Sequence, residues 1–175
     1  MHNQTIWSYL FEECESPNTA QAKLQLGGKG AVLAEMTGFK LPVPPGYIIT
    51  TDACKAYHAN EKLFPEGLWK QVRNKLTSIE NKLGKKFGEK ENPLLVSVRS
   101  GSPVSMPGMM DTVLNLGLNE ETVIGLAQQT QDERFAWDAY RRFISMFSQI
   151  VLGIEHEKFE RVLERYKNGH RLDSD

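Results

Sequence analysis

The sequence has few or none of the features that mark several specialised classes of protein. It holds only two cysteines in 175 residues, Cys14 and Cys54, which excludes a disulfide framework, and their spacing fits neither a zinc knuckle nor a redox pair. No apolar run approaches the roughly 18 residues of a membrane-spanning helix, and the first residues lack the pattern of a secretory signal. We therefore expect plain thiols, no membrane partner and a cytoplasmic location.

An excess of charge of one sign is also absent. Lys and Arg together number 21 and Asp and Glu 22, which gives a formal net charge of -1, so no strong positive field would attract nucleic acid. The four histidines are scattered, and no Cys, His, Asp or Glu cluster has metal-ligand spacing. A Gly-x-Ser-x-Gly nucleophile elbow is missing as well. These absences argue against a nucleic-acid partner, a metal site within the chain and a serine hydrolase.

The patterns that are present predict an α+β (α/β) fold. Over residues 1–118, β-prone runs alternate with amphipathic segments of helical spacing. After Gly117 the pattern is helical throughout, with Asn119 and Asp132 as helix caps. We predict a small mixed sheet with helices in residues 1–118 and an all-helical subdomain in residues 119–175. Strands are expected at 6–11, 47–50, 94–98 and 112–116, and helices at 31–36, from 51 or 52 to 60, and at 64–86.

The segment Gly27-Gly28-Lys29-Gly30, called here the glycine-lysine turn, is the first candidate site. We expect it at the entrance of a helix, where free backbone amides, the helix dipole and the lysine charge together favour a phosphate. It is not a Walker A loop, because no glycine stands five residues before Gly28 and because Gly30 replaces the usual Ser or Thr. The alternative is a flexible turn with a solvated lysine.

The second candidate is Arg99, which directly follows the predicted strand 94–98. Open sheets place their ligands at strand ends, and the planar guanidinium suits a phosphate. That strand would be buried on both faces if it were central in a sheet. The alternative for Arg99 is a surface arginine paired with a carboxylate.

The third candidate is the segment Ser100–Asp111, called here the 100–111 loop. Two glycines and two prolines exclude regular structure, so strand, loop and strand could form a hairpin with a functional tip. Backbone amides at Gly101 and Gly108 and the carboxylate of Asp111 could then close over a ligand. The alternative is a mobile surface loop.

Three segments that occur in this order carry a resemblance to a known family. They are Gly27-Gly-Lys-Gly30, Leu94-Leu-Val-Ser-Val-Arg-Ser-Gly101 and the stretch from Ser105-Met-Pro-Gly-Met-Met-Asp to Asn119. With them the chain resembles the N-terminal part of the phosphoenolpyruvate synthase and pyruvate, phosphate dikinase family, from about Trp7 to about Gly153. The Ser-Met-Pro-Gly-Met-Met-Asp stretch favours the dikinase branch, since the synthases carry a different loop.

The resemblance implies the N-terminal half of an ATP-grasp domain. In this family, ATP passes its β-phosphoryl group to a histidine on a separate domain, Mg²⁺ binds the phosphates, inorganic phosphate accepts the γ group, and a barrel converts pyruvate to phosphoenolpyruvate. Lys29 and Arg99 would contact the ATP phosphates, with Arg99 also acting in catalysis, and the loop would lie over them. The implied ATP-binding residues are Lys29, Arg99, Gly28, Gly101, Gly108 and Asp111.

The sequence lacks the family's phosphohistidine segment and its second ATP-grasp half, which carries the metal ligands. We therefore expect a part of a longer enzyme, inactive alone, whose partners are ATP and the missing phosphohistidine and pyruvate-binding domains. Two alternatives are a part of a phosphoenolpyruvate synthase, where water accepts the γ group, and a non-catalytic interaction module. The aromatic stripe of residues 135–143 also makes a homodimer possible.

Overall fold

The computed structural model describes residues 5–101 and 112–170 of the chain. These residues divide into two compact units. Residues 5–85 with 100–101 form the first unit, and residues 86–99 with 112–170 form the second. The boundary that we expected between residues 118 and 119 lies inside the second unit. The division into an α/β subdomain and a helical subdomain at that point stays a prediction.

The first unit packs helices against one pair of strands. Its elements are β1 (Ser8–Leu10), a 3-10 turn (Phe11–Glu13), α1 (Ala20–Gly38), β2 (Tyr47–Ile49), α2 (Thr51–Ala59) and α3 (Leu68–Leu83). β1 and β2 are antiparallel, with Ser8 opposite Ile49. Small residues of α1, Ala31 and Ala34, pack with Ile48 of β2 in one cluster, because side chains of this size let a helix approach a strand closely.

A side-chain amide joins the first strand to α3. The backbone amides of Trp7 and Ser8 donate to Oε1 of Gln71 at 2.7 and 3.2 Å. The Nε2 atom of Gln71 donates to the carbonyl of Thr5 at 2.8 Å. The Gln71 side chain therefore provides an acceptor and a donor to the backbone of residues 5–8, as a neighbouring strand would, and these backbone groups gain hydrogen-bond partners.

The second unit is a hairpin packed on helices. Its elements are β3 (Val96–Arg99), β4 (Thr112–Leu116), α4 (Thr122–Thr130), α5 (Glu133–Ile150) and α6 (His156–His170). β3 and β4 are antiparallel, with Arg99 opposite Thr112 and a register shift between Val96 and Val98. Asn115 lies in the left-handed region with φ 58°, which asparagine tolerates better than most residues, and it takes up the extra residue of β4.

Most of the predicted elements are confirmed by the structure. Asn119 Oδ1 accepts the amide of Thr122 at 2.8 Å, and Asp132 Oδ1 accepts that of Phe135 at 2.9 Å, as expected of helix caps. The hairpin around the 100–111 loop and the α+β class are likewise confirmed. Among the described helices, none has the combination of length and apolar character that crossing a bilayer requires.

Three local predictions differ from the structure. In place of one small mixed sheet, the four described strands form two separate antiparallel pairs. β3 is largely exposed, with Val98 48% exposed, whereas burial on both faces was expected only if the strand were central in a sheet. The reason is that β4 is the one strand that pairs with it in the described chain. The cap of α2 is Thr50, whose hydroxyl oxygen accepts the amide of Ala53, and not residue 51 or 52.

Candidate functional site

The glycine-lysine turn lies at a break inside α1. Gly27 has φ 72° and ψ 160°, whereas the residues on both sides of it are helical. That backbone region is open essentially to glycine alone, since a Cβ would clash there. α1 is therefore two helical segments, residues 20–26 and residues 28–38. The turn begins the second segment, which confirms the predicted helix entrance, although the first segment was not predicted.

Lys29 is the second residue of the segment that begins after the break. Its side chain is partly buried, and among the described residues no carboxylate lies within ion-pair distance of it. The amides at the start of a helical segment point away from it and carry the positive end of the dipole. Gly28 and Lys29 thus combine a cation with backbone donors, which is an arrangement that favours an anion.

Gly30 brings the turn close to the sheet. A Cβ added at Gly30 would lie 3.0 Å from Cδ1 and 3.2 Å from Cγ1 of Ile48. Ile48 is buried at 8% exposure in the core of the first unit, so it has little room to move. The absence of a side chain at Gly30 therefore sets the distance between the second segment of α1 and β2.

Arg99 is the last residue of β3, the strand end at which we expected it. Its side chain is exposed, and in the described parts of the chain no salt bridge engages it. The carboxylate partner of the alternative interpretation is therefore not found there. Gly101 is also exposed, and apart from its chain neighbours no atom of the described residues lies within 4 Å of an added Cβ. Gly108 and Asp111 lie outside the described residues.

Lys29 belongs to the first unit and Arg99 to the second. Their convergence on one triphosphate stays a prediction, as do the roles of the six candidate residues. Within the described ranges, no three His, Cys, Asp or Glu side chains come together as metal ligands.

One thiol, Cys14, and one carboxylate, Glu13, have shifted pKa values and structural roles in the first unit. Burial, together with the charge of Glu13, raises the pKa of the Cys14 thiol to about 11, so the thiol is protonated at neutral pH and is a poor nucleophile. Burial alone would raise the pKa of Glu13, but hydrogen bonds from Lys75 and from the Leu10 amide outweigh it, and the pKa is lowered. Glu13 joins residues 10–14 to Lys75 of α3, and the Cys14 side chain packs against the core of the first unit.

Comparison with known proteins identifies the family. Residues 23–67 and 61–149 match the family model described as "Pyruvate phosphate dikinase, AMP/ATP-binding domain". The chain belongs to this family. The glycine-lysine turn lies in the first matched range of the pyruvate phosphate dikinase domain, and Arg99 and Gly101 lie in the second. The resemblance read from the sequence is therefore confirmed.

Individual members of the family are similar along almost the whole chain. The pyruvate, phosphate dikinase of Entamoeba histolytica is 52% identical over 169 residues, which is 95% of this chain and 19% of that protein. That of Rhizobium meliloti is 51% identical over 171 residues, 97% of this chain and 19% of that protein. The pyruvate, phosphate dikinase 1, chloroplastic, of Arabidopsis thaliana is 49% identical over 167 residues, 95% of this chain and 17% of that protein. The chain spans about a fifth of the length of these relatives.

Proposed function

We propose that this chain supplies the N-terminal half of an ATP-grasp site in a phosphotransferase of the pyruvate, phosphate dikinase type. The observation that carries the proposal is the helix break at Gly27, which presents Lys29 and the first amides of a helical segment together, within the range matched by an AMP/ATP-binding domain. Phosphoryl transfer depends mainly on charge neutralisation and alignment of the phosphates. A cation among backbone donors meets that requirement without a nucleophile.

In this proposal Lys29 and Arg99 both bind the phosphates of one ATP molecule. Lys29 and the amide of Gly28 hold one phosphate group, and the Arg99 guanidinium neutralises the charge that develops on the transferred group. The 100–111 loop lies over the phosphates, with Gly101, Gly108 and Asp111 as further contacts. The resemblance to the family and the position of Arg99 at a strand end support this assignment.

The reaction that we propose for the whole enzyme interconverts ATP, phosphate and pyruvate with AMP, diphosphate and phosphoenolpyruvate. A histidine outside this chain carries the β-phosphoryl group, and phosphate accepts the γ group. Mg²⁺ would neutralise the phosphates, with its protein ligands also outside this chain, so no step here is assigned to it. We propose that the chain alone does not turn over. A cytoplasmic location stays a prediction.

Binding of Mg-ATP tests the two cations. Lys29→Ala and Arg99→Ala, made in the whole protein that carries this chain, should each lower the affinity measured by calorimetric titration about ten- to a hundredfold, because each removes charge-assisted hydrogen bonds. Adenosine binding should not change, since both residues are assigned to the phosphates. Lys23→Ala, on α1 before the break, and Arg134→Ala, exposed on α5, are the matched controls. Parent-like Mg-ATP affinity in Lys29→Ala and Arg99→Ala would refute the assignment.

A second candidate function, an interaction module, is favoured by the surface of α5 and α6. A groove of about 610 Å³ between these helices is lined mainly by apolar side chains, among them Trp137, Ile144 and Tyr166. Trp137 is 49% and Tyr166 57% exposed, and exposed apolar patches of this kind mark interaction sites. The same surface makes a homodimer our proposal for the isolated chain. Light scattering over a concentration series tests it, and a monomer at every concentration would contradict it.

A further inference from the structure

The hydroxyl of Thr51 joins two helices that are distant in sequence. Thr51 is the first residue of α2, and its Oγ1 donates to the carbonyl of Leu24 in α1 at 2.7 Å. The cap of α2 is provided by its neighbour Thr50, whose Oγ1 accepts the amide of Ala53 at 3.2 Å. The Thr51 side chain is therefore not required to begin its own helix, and its hydrogen bond acts on α1.

The acceptor lies in the turn of α1 that the break interrupts. Leu24 is three residues before Gly27, where the chain leaves the helical conformation. The last carbonyls of a helical segment have no partner within that segment. Leu24 offers one of these carbonyls, and Thr51 provides a donor for it. The hydrogen bond thus fixes the end of the first segment of α1 on α2.

The same short stretch of chain also contacts α1 after the break. Ile48 lies three residues before Thr51, and its side chain is the close neighbour of Gly30 at 3.0 Å from an added Cβ. Residues 48–51 therefore contact α1 on the near side of the break through Thr51 and on the far side through Ile48. The backbone of Lys29 lies between these two contacts.

We propose that Thr51 is a positioning residue for Lys29. By holding the Leu24 carbonyl, it fixes the angle at which the second segment of α1 leaves Gly27, and with it the direction in which Lys29 and the amides of Gly28 and Gly30 face the phosphate. This inference rests on the proposed ATP-binding function. It adds a residue that acts on Lys29 through the backbone of α1 and not as a ligand of the nucleotide.

Three variants separate positioning from general stability. Thr51→Val keeps the shape of the side chain and removes the donor, whereas Thr51→Ser keeps the donor. Thr37→Val is the matched control, because Thr37 also donates to a carbonyl of α1, that of Leu33 at 2.8 Å, but after the turn. Each is made in the whole protein, beside Lys29→Ala. Mg-ATP affinity, amide hydrogen exchange at residues 28–30 and the thermal unfolding midpoint are measured.

Thr51→Val should weaken Mg-ATP binding roughly three- to tenfold, the usual effect of one lost hydrogen bond, and should speed exchange at residues 28–30. Thr51→Ser should stay within about twofold of the parent, and Thr37→Val should lower the unfolding midpoint as much as Thr51→Val without the loss of affinity. Parent-like binding and exchange in Thr51→Val, or an equal loss in Thr51→Ser or Thr37→Val, would overturn the inference. Parent-like binding in Lys29→Ala would instead refute the assignment of Lys29 to the phosphates, which is the part of the proposed function on which this inference rests.

Discussion

Replacing Gly27 by alanine tests the helix break most directly, because the sign of the effect depends on it. In an unbroken helix, Gly→Ala stabilises a protein by up to about 1 kcal/mol. At φ 72° and ψ 160°, an alanine instead carries a strain of about 1–3 kcal/mol. Gly27 is also buried, so the strain cannot be relieved by moving the turn into solvent. We therefore expect Gly27→Ala to lower the free energy of unfolding.

Urea denaturation followed by tryptophan fluorescence measures this effect. The measurement uses the chain by itself, and Trp137 is replaced by Phe in all variants, so that the signal comes from Trp7 and Trp69 of the first unit. With an m-value of about 2 kcal/mol/M, the midpoint should fall by roughly 0.5 to 1.5 M in Gly27→Ala. Gly38→Ala is the control on the same helix, and it should be neutral or slightly stabilising. Outside the helix's own backbone and its chain neighbours, no described atom lies within 4 Å of a Cβ added at Gly38. A midpoint for Gly27→Ala at or above the parent's would show that α1 is continuous.

Three further substitutions have defined outcomes. Gly125→Ala should lower stability in urea by about 1–3 kcal/mol, because its Cβ would clash with the backbone carbonyl oxygen of Lys90. Asp132→Ala should cost about 1 kcal/mol in thermal unfolding, the usual value of a helix cap. Glu13→Gln should make the free energy of unfolding depend less on pH in acid. The pKa of Glu13 is lowered in the folded protein, so the ionised carboxylate stabilises the fold above the unfolded pKa near 4.5. This contribution is lost as the pH falls through the lower folded pKa.

The helices of this chain were predictable where apolar residues recur at helical spacing. α3 was predicted over residues 64–86 from such a stripe and occupies Leu68–Leu83. The first segment of α1 was missed because its apolar residues, at positions 20, 22, 24 and 26, alternate with polar ones, which is not helical spacing, and because the glycines after it suggest a loop. Its position depends on Leu26, which is buried with Ile48, and a local pattern does not show that partner.

The candidate site was predictable only in its local part. Gly27 to Gly30 indicated a helix entrance because glycine and lysine have backbone and charge properties that act within a few residues. The contact of Thr51 with Leu24 spans 27 positions, and no spacing in the sequence indicates it. The exposure of β3 likewise depends on which strands flank it, and the composition of residues 94–98 predicted burial on both faces only for a strand that is central in a sheet.

Helix α6 contains no buried residue, and this affects how easily the helix unfolds locally. Segments with few buried contacts unfold locally at a much lower free energy than the whole protein does. Trypsin cleaves only backbone that has opened, and α6 presents Arg161 and Arg165 to it. A molecule seated on the groove beside α6 would slow this cleavage in proportion to its affinity. The rate of proteolysis at these two arginines is therefore a direct measure of whether the groove is occupied.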